Sequence, residues 1–214
     1  MFLFLLFSVP LSAQSEDMFK KLEQYIRNHV NTRLLRNLSV FAIIFIPLGT
    51  WLFATNESPL DYTMSMIGNK LGYRLNFIIW GAVTGFLLIF YVLRLFVLKA
   101  FKDKRARRLL IWSLLFLMLT VLIPAVDYLP VLSKLHTIAA IAFALSLMAS
   151  LYLFVEHLHR VNKSSKSWSM AMFWITIGGS LLLHFLFGNT GVFELFFFFS
   201  LAAFLLLLRG ISGR

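Results

Sequence analysis

The sequence contains no cysteine. This absence excludes disulfide bonds, thiolate metal sites, iron–sulfur clusters and cysteine nucleophiles. Charged residues are also scarce at 14 %, whereas a soluble domain usually carries about a quarter. The chain has no phosphate-binding glycine loop, no metalloprotease helix and no recognisable nucleophile–base–acid set. The sequence therefore leaves enzymatic activity open but favours a protein that is not an enzyme.

Apolar residues, by contrast, are abundant. They make up 60 % of the 214 residues and fall in six long runs. Each run is close to the ~20 residues that a helix needs to cross about 30 Å of hydrocarbon. Such segments must be helical, because in lipid the backbone has to satisfy its own hydrogen bonds. The sequence therefore predicts an all-α, polytopic membrane protein with a bundle of six transmembrane helices. The six runs are Leu38–Ala54, Leu75–Leu98, Leu109–Val126, Leu135–Val155, Trp168–Phe187 and Val192–Leu208.

Positive charge is concentrated in every second connection between these runs, and the formal net charge is +11. The basic connections contain Lys20, Lys21, Arg27, Arg33, Arg36, Lys99, Lys102, Lys104, Arg105, Arg107, Arg108, Arg160, Lys163, Lys166, Arg209 and Arg214. The other three connections contain only Lys70, Arg74 and Lys134. By the positive-inside rule, this pattern predicts a multi-pass protein of the cell inner membrane with both termini in the cytoplasm. Because the basic residues then set orientation, we expect membrane lipids as partners and no nucleic acid.

Residues 1–17 look like a secretory signal, with a short apolar stretch that ends in the small residues Ser12 and Ala13. Cleavage after Ala13 would place every basic connection outside the cell, against the positive-inside rule. We therefore expect residues 1–17 to be a leader that stays uncleaved on the cytoplasmic side, or a mis-assigned start. The working protein would then begin at or near Met18.

Residues 18–37 have the pattern of a basic amphipathic helix. Apolar residues recur at spacings of three and four, at Phe19, Leu22, Ile26, Val30 and Leu34. A helix of this kind lies along the cytoplasmic membrane surface, where anionic lipid attracts it. A plain juxtamembrane linker is the alternative. Residues 38–208 would form the transmembrane domain, and residues 209–214 a short cytoplasmic tail.

The unusual polar residues gather at the outer ends of the predicted helices. Ionisable groups at membrane depth are costly and usually face a cavity, a partner or a transport path. Four of them come from neighbouring helix ends at similar depth, so they could form one hydrogen-bonded layer. That layer would consist of Asp127, His136, His184 and Glu194. Together with the first outer loop they form the candidate ligand-binding set: Asp61, Ser65, Asn69, Asn76, Asp127, His136, His184 and Glu194.

Two interpretations of this set stay open. The residues could form an outward-facing pocket for a lipid headgroup, a small polar molecule, a proton or a divalent metal. They could instead only cap helix ends and meet interfacial water. A metal site usually shows closer ligand spacing, such as two histidines four residues apart on one helix. Because no such pair is present, we predict no metal and no cofactor.

Three functions are compatible with these residues. We rank first a binding, sensing or accessory module for a small polar or lipid-headgroup ligand. A small proton-coupled transporter would need ionisable groups near the membrane midplane, where Ile89, Phe116 and Leu145 have apolar neighbours. A haem-binding electron carrier ranks last, because His136 and His184 could ligate a haem on the outer side only.

Gly81 and Gly85 form a small-xxx-small step in the second run. This spacing lets helices approach closely. Packing inside the bundle is favoured, and oligomerisation through the same glycines is the alternative.

Several short motifs occur in an order that resembles a known family. They are DYTMSMIG (61–68), RLNF (74–77), PAVD (124–127), HTIAA (136–140) and GNTG (188–191), the last shortly before Glu194. This order resembles the bacterial six-helix membrane family named domain of unknown function 998, which is distantly similar to Frag/DRAM/Sfk-type membrane proteins. The resemblance covers roughly Leu38 to Leu208 and does not include the leader.

The resemblance implies an integral membrane protein with no established enzymatic role, whose eukaryotic relatives are tied to lipid handling and membrane organisation. The motif positions of that family correspond to Ser65, Gly68, Asn76, His136 and Glu194 in this sequence. The resemblance assigns no chemical role to any of these residues.

Overall fold

The computed structural model describes residues 32–161 and 166–212. The chain divides into two compact units, Met1–Leu38 and Ser39–Arg214. The predictions for residues 1–17, and for most of 18–37, lie outside the described residues. Residues 32–37, which the pattern assigned to a surface helix, belong to the first turns of the same helix that carries the first apolar run.

Seven helices and no strand make up the described part of the chain, which confirms the all-α class. They are α1 (Thr32–Ala54), α2 (Met64–Lys70), α3 (Arg74–Leu98), α4 (Lys104–Leu122), α5 (Pro130–Val161), α6 (Lys166–Phe187) and α7 (Gly191–Ser212). Within these ranges, five helices are long and apolar enough to cross a membrane. Those five segments are Leu35–Ala54, Arg74–Leu98, Pro130–Arg160, Trp168–Phe187 and Gly191–Gly210. These five helices support the prediction of a multi-pass membrane protein. The remaining predicted span, Leu109–Val126, corresponds to α4, which is not among the five.

Helix α4 begins before the predicted span Leu109–Val126 and ends four residues before that span does. It begins in the basic cluster and ends at Leu122, because Ile123 precedes Pro124 and takes the extended conformation (ψ 123°) that a following proline favours. The apolar part, 109–122, is about 21 Å long at 1.5 Å per residue. This is less than the ~30 Å of a hydrocarbon core. Asp127 consequently lies in a loop and does not end a helix.

Helix α5 is longer than the predicted span Leu135–Val155. Its 32 residues correspond to about 48 Å. Pro130 takes the first helical position, where a missing N–H breaks no hydrogen bond. His136 therefore lies in the second turn and is buried, whereas the sequence placed it at the helix start.

Helices α3 and α4 pack closely because α3 presents glycines. A Cβ on Gly81 would lie 2.2 Å from Val121 Cγ1, and one on Gly85 would lie 2.9 Å from Leu117 Cδ2. Both glycines are buried, so the small-xxx-small face is filled by α4 of the same chain. Bundle packing is thus the role found for these glycines, and their face is not open to a second copy.

We call the end of the bundle with connections 55–73, 123–129 and 188–190 the α2 end. Trp80 lies at the centre of an aromatic cluster beneath it. Its ring stacks on Phe53 and Phe77, each at 5.8 Å, and meets the edge of Phe198 at 5.4 Å. Its Nε1–H donates to Thr50 Oγ1 at 3.2 Å. Helices α1, α3 and α7 therefore all contribute to one aromatic cluster, and the polar residues of the α2 end lie above this cluster.

The opposite end, with connection 99–103, is the basic end. Helix α3 ends there in a Schellman motif: the Phe101 N–H donates to the Phe96 carbonyl at 2.8 Å, and the two rings lie 4.8 Å apart. Ala100 takes the left-handed conformation at φ 50°. Asp103 then caps α4, since its Oδ1 accepts from the N–H groups of Arg105 and Ala106.

Candidate functional site at the α2 end

Helix α2 is a seven-residue element that folds onto the bundle. Thr63 is its N-cap, because Thr63 Oγ1 accepts from the Met66 N–H at 3.1 Å. The same hydroxyl lies 3.0 Å from Ser65 Oγ. Met64 and Ile67 are buried, so one face of α2 packs inward and the other carries the polar residues.

Glu194 of α7 holds the start of α2. Its Oε2 accepts from the Met64 N–H at 2.6 Å. The carboxylate thereby satisfies one of the unpaired N–H groups in the first turn of α2 and meets the partial positive charge of that helix end. Packing brings the elements equally close, since a Cβ on Gly191 would lie 2.8 Å from the Tyr62 carbonyl oxygen. Glu194 is half-buried and has a structural contact.

Arg74 connects α2, α3 and the end of α4. Its Nη1–H donates to Asn69 Oδ1, and its Nη2–H donates to the Leu122 carbonyl at 2.5 Å. Asn69 Nδ2–H in turn donates to the Ser65 carbonyl at 2.8 Å. The Leu122 carbonyl is among the last of α4, which have no partner inside the helix. Arg74 thus fixes the orientation of Asn69 and caps α4.

Lys70, at the end of α2, reaches the loop between α4 and α5. Its Nζ lies 2.8 Å from each carboxylate oxygen of Asp127. The Asp127 side chain is 86 % exposed, so this is a surface ion pair of the kind that contributes little to stability. Asp127 consequently keeps most of its surface available to solvent or to a ligand.

His136 is buried at 4 % exposure. Its Nδ1–H donates to the Ile123 carbonyl at 3.0 Å, since a carbonyl can only accept. The ring centroid lies 6.5 Å from that of Phe77. His136 therefore caps the end of α4 from α5 and joins the aromatic cluster.

The remaining candidates are exposed. His184 lies on the outside of α6, with its ring edge against Phe193 at 4.9 Å. Asn76 in the first turn of α3 is exposed, and so is Asp61 in the loop before α2. These three side chains face the surroundings and are not needed to hold the α2 end together.

The four predicted layer residues have four different surroundings. Within the described ranges, which include all four side chains, no hydrogen bond joins any two of Asp127, His136, His184 and Glu194. The prediction of one hydrogen-bonded layer is therefore wrong, because each group has its own partner. For His136 and Glu194, capping of helix ends describes the observed contacts. His136 and His184 share no contact that would place them on one haem iron.

The described residues also contain no group of three or more His, Asp or Glu side chains close enough together to hold a metal ion.

Sequence reasoning missed Thr63 and counted Lys70 and Arg74 only as loop charges. Thr63 could have been found, because a threonine three residues before the backbone N–H that it caps is a local helix-start pattern. The Lys70 partner Asp127 lies 57 residues away, and the Leu122 carbonyl, one of the two partners of Arg74, lies 48 residues away; no local pattern operates at such separations.

Comparisons with protein-family models, with curated proteins and with solved structures gave no match. The resemblance to the domain of unknown function 998 family therefore stays a prediction.

Chemically, the exposed candidate residues Asp61, Asp127 and Asn76 offer oxygen acceptors, from two carboxylates and one side-chain amide, while the Asn76 amide and the exposed Lys70 also supply N–H donors. Such a set can bind ammonium, hydroxyl or other hydrogen-bond donors. The buried Thr63 and His136 and the half-buried Glu194 hold the backbone segments that carry these acceptors.

Proposed function

We propose that this protein is a multi-pass membrane protein that binds or senses a small polar or lipid-headgroup ligand at its α2 end. The observation that supports this most is the fixed attachment of α2. Glu194, Arg74 and Asp127 come from three other parts of the chain and each bonds to a different residue of α2. An element held so firmly presents its neighbouring acceptors in a constant geometry, which lowers the entropy cost of binding.

Six membrane crossings, with the α2 end outside and both termini in the cytoplasm, are part of the proposal. Helix α4 follows α3 at the basic end, and its Leu122 carbonyl accepts a hydrogen bond from Arg74 at the start of α3. It thus returns along α3 from one end of the bundle to the other. The basic residues of its first two turns can snorkel to the interface and shorten the hydrocarbon that α4 has to cross.

The ligand that we propose carries hydrogen-bond donors, because the exposed candidate residues Asp61, Asp127 and Asn76 offer carboxylate and amide oxygens. An ethanolamine headgroup, with its ammonium N–H groups, suits carboxylate and amide oxygens. A choline headgroup lacks these N–H groups and would bind more weakly through charge alone. The resemblance to a family with relatives in lipid handling agrees with this class of ligand.

A proton-coupled transporter is less well supported. Hydroxyl groups in the middle of the helices mostly donate to carbonyls one turn back in their own helix, as Thr50, Ser146 and Thr176 do. Such hydroxyls are satisfied locally and form no path between the two ends. Proton flux into proteoliposomes would nevertheless favour the transporter over our proposal.

The test is a thermal-shift titration of the purified full-length protein in detergent with phosphatidylethanolamine and with phosphatidylcholine. We expect phosphatidylethanolamine to raise the Tm of the wild type and of the control Glu156→Gln, a partly exposed carboxylate at the basic end. The double variant Asp61→Asn/Asn76→Ala, which changes two exposed side chains, should lose most of this shift. An equal shift in this variant, or an equal shift with phosphatidylcholine, would contradict the proposal.

A further inference from the structure

Helix α4 has two faces with different surroundings. One face packs into the bundle, where Ala106, Leu110 and Leu117 are buried. The opposite face is exposed or half-buried along the whole helix. Its residues recur at spacings of three and four, which places them on one side of a helix. We call the following residues the exposed face of α4: Arg105, Arg108, Trp112, Leu115, Leu119 and Leu122.

The exposed face changes in polarity from the start of α4 to its end. Arg105 and Arg108 lie in the first two turns. Trp112 follows in the third turn, and its ring stacks on Phe116 at 5.7 Å. The remaining three residues are leucines, which are 43–58 % exposed. A phospholipid has the same order of groups, since arginine binds phosphate oxygens, tryptophan favours the headgroup level and leucine favours hydrocarbon.

Packing against α3 sets the depth of this face in the membrane. Val121 packs against Gly81 of α3. One turn earlier in α4, Leu117 packs against Gly85. The two helices therefore run antiparallel, and the same register, continued toward the basic end, places Arg105 level with the last turn of α3. Because α3 is long and apolar enough to cross a membrane, the arginines belong at its boundary and the leucines in the hydrocarbon.

The charges of Arg105 and Arg108 do not stabilise α4 itself. Arg105 lies in the first turn, where the partial positive charge of the helix end disfavours a cation. The neighbouring Asp103 accepts from the backbone N–H groups of Arg105 and Ala106. Among the residues that the structure describes, no carboxylate forms an ion pair with either guanidinium. A bound anion would therefore reduce the repulsion at this end and favour the start of α4.

We propose that the exposed face of α4 binds an anionic phospholipid of the leaflet at the basic end. Its phosphate contacts Arg105 and Arg108, and one acyl chain lies along the three leucines. Anionic lipids are attracted to basic residues next to a membrane-crossing segment. The site is at the opposite end of the bundle from α2, so it does not depend on the ligand proposed there.

Lipid titrations of the full-length protein in detergent, followed by native mass spectrometry, measure this binding. The probes are phosphatidylglycerol, which is anionic, and phosphatidylcholine, which has no net charge. We expect the wild type to bind phosphatidylglycerol more tightly. The double variant Arg105→Gln/Arg108→Gln should weaken phosphatidylglycerol binding at least about tenfold, as expected for the loss of charge-assisted hydrogen bonds. Trp112→Ala should weaken it to a smaller extent.

Two matched control variants lie at the same end but outside the exposed face of α4. Arg160→Gln removes an arginine of α5 that pairs with Glu156 at 2.7 Å. Trp168→Ala removes a tryptophan at the start of α6 that is 73 % exposed. Both controls should bind phosphatidylglycerol as tightly as the wild type.

A second measurement on the wild type shows where the lipid lies and stays informative if a variant fails to fold. Phosphatidylglycerol with a photoreactive group in its acyl chain should crosslink to α4 within residues 112–122. Crosslinks only to other helices would overturn the assigned position. An equal phosphatidylglycerol affinity in the wild type and in Arg105→Gln/Arg108→Gln would overturn the site. A loss per removed charge that is equally large in Arg160→Gln would also overturn it, because the net charge of the basic end would then account for the binding.

Discussion

Glu194 Oε2 accepts a hydrogen bond from the Met64 N–H at 2.6 Å, across 130 residues of sequence. The contact joins the first turn of α7 to the first turn of α2. It explains why an ionisable side chain is present in the apolar first half of α7: the carboxylate satisfies a backbone N–H that α2 cannot satisfy by itself. Glu194 is thus part of the support of the α2 end.

Replacing Glu194 should therefore lower the stability of the protein, and the loss should be larger when the new side chain has no hydrogen-bond acceptor. Glu194→Ala removes the acceptor and should lower the free energy of unfolding by about 1.5–3 kcal/mol, as for a hydrogen bond to a charged group. Glu194→Gln keeps an amide oxygen and should lose less. Melting of the purified variants in detergent measures this order, with Glu156→Gln as the control at a partly exposed carboxylate. Equal Tm values for Glu194→Ala and Glu156→Gln would show that the contact contributes nothing.

Arg74 and Asn69 should be energetically coupled. Arg74→Gln and Asn69→Ala each break their shared hydrogen bond, so the double variant should lose less stability than the sum of the two single losses. We expect a coupling energy of about 0.5–3 kcal/mol, the range for directly bonded side chains. A double-mutant cycle on unfolding measures it. Strict additivity would mean that the two residues act independently.

Gly81 and Gly85 in α3 should not tolerate replacement by a residue with a Cβ. Gly81→Ala places a methyl group 2.2 Å from Val121 Cγ1 and should destabilise the protein by about 1–3 kcal/mol through overpacking. Val121→Ala in the same chain should recover part of this loss. Gly178 in α6 is the matched control, because a Cβ there meets nothing within 4 Å. A Gly81→Ala variant as stable as Gly178→Ala would contradict the α3–α4 packing described above.

Ala100 occupies a position that suits glycine, with φ at 50°. Ala100→Gly should stabilise the protein by about 1 kcal/mol, because left-handed backbone is unfavourable for a residue with a Cβ. The same substitution at Ala82, an exposed position inside α3, should have the opposite sign and cost about 1 kcal/mol. The two melting temperatures, measured side by side, test the conformation at the end of α3. A loss at both positions would contradict it.

Long apolar runs predicted most of the fold, because the requirement for internally satisfied backbone in lipid leaves few alternatives. The helix boundaries at Arg74–Leu98 and Lys166–Phe187 agree with the predicted spans to within two residues. The end of α4 was missed because one pre-proline residue, Ile123, outweighs the apolar pattern that continues to Val126. Helix α2 was missed because its seven residues are too few to show a periodic pattern.

The sequence identified several residues of the candidate site, but it did not predict the contacts that these residues make. Glu194 and His136 stood out as polar groups near helix ends, and both do lie at the α2 end. Their partners are backbone groups of Met64 and Ile123. Backbone groups are present at every position, so the sequence alone gives no sign of which ones are left without a partner after folding.

The claim on which the account depends most is that the α2 end faces outside the cell while the basic end faces the cytoplasm. Because the chain has no cysteine, each introduced cysteine is the only thiol. Asp61→Cys and Lys102→Cys change exposed residues at opposite ends. In intact cells, a membrane-impermeant maleimide should label Asp61→Cys, and it should label Lys102→Cys only after the membrane is opened. Labelling of Lys102→Cys with protection of Asp61→Cys in intact cells, or equal labelling of both, would contradict the account.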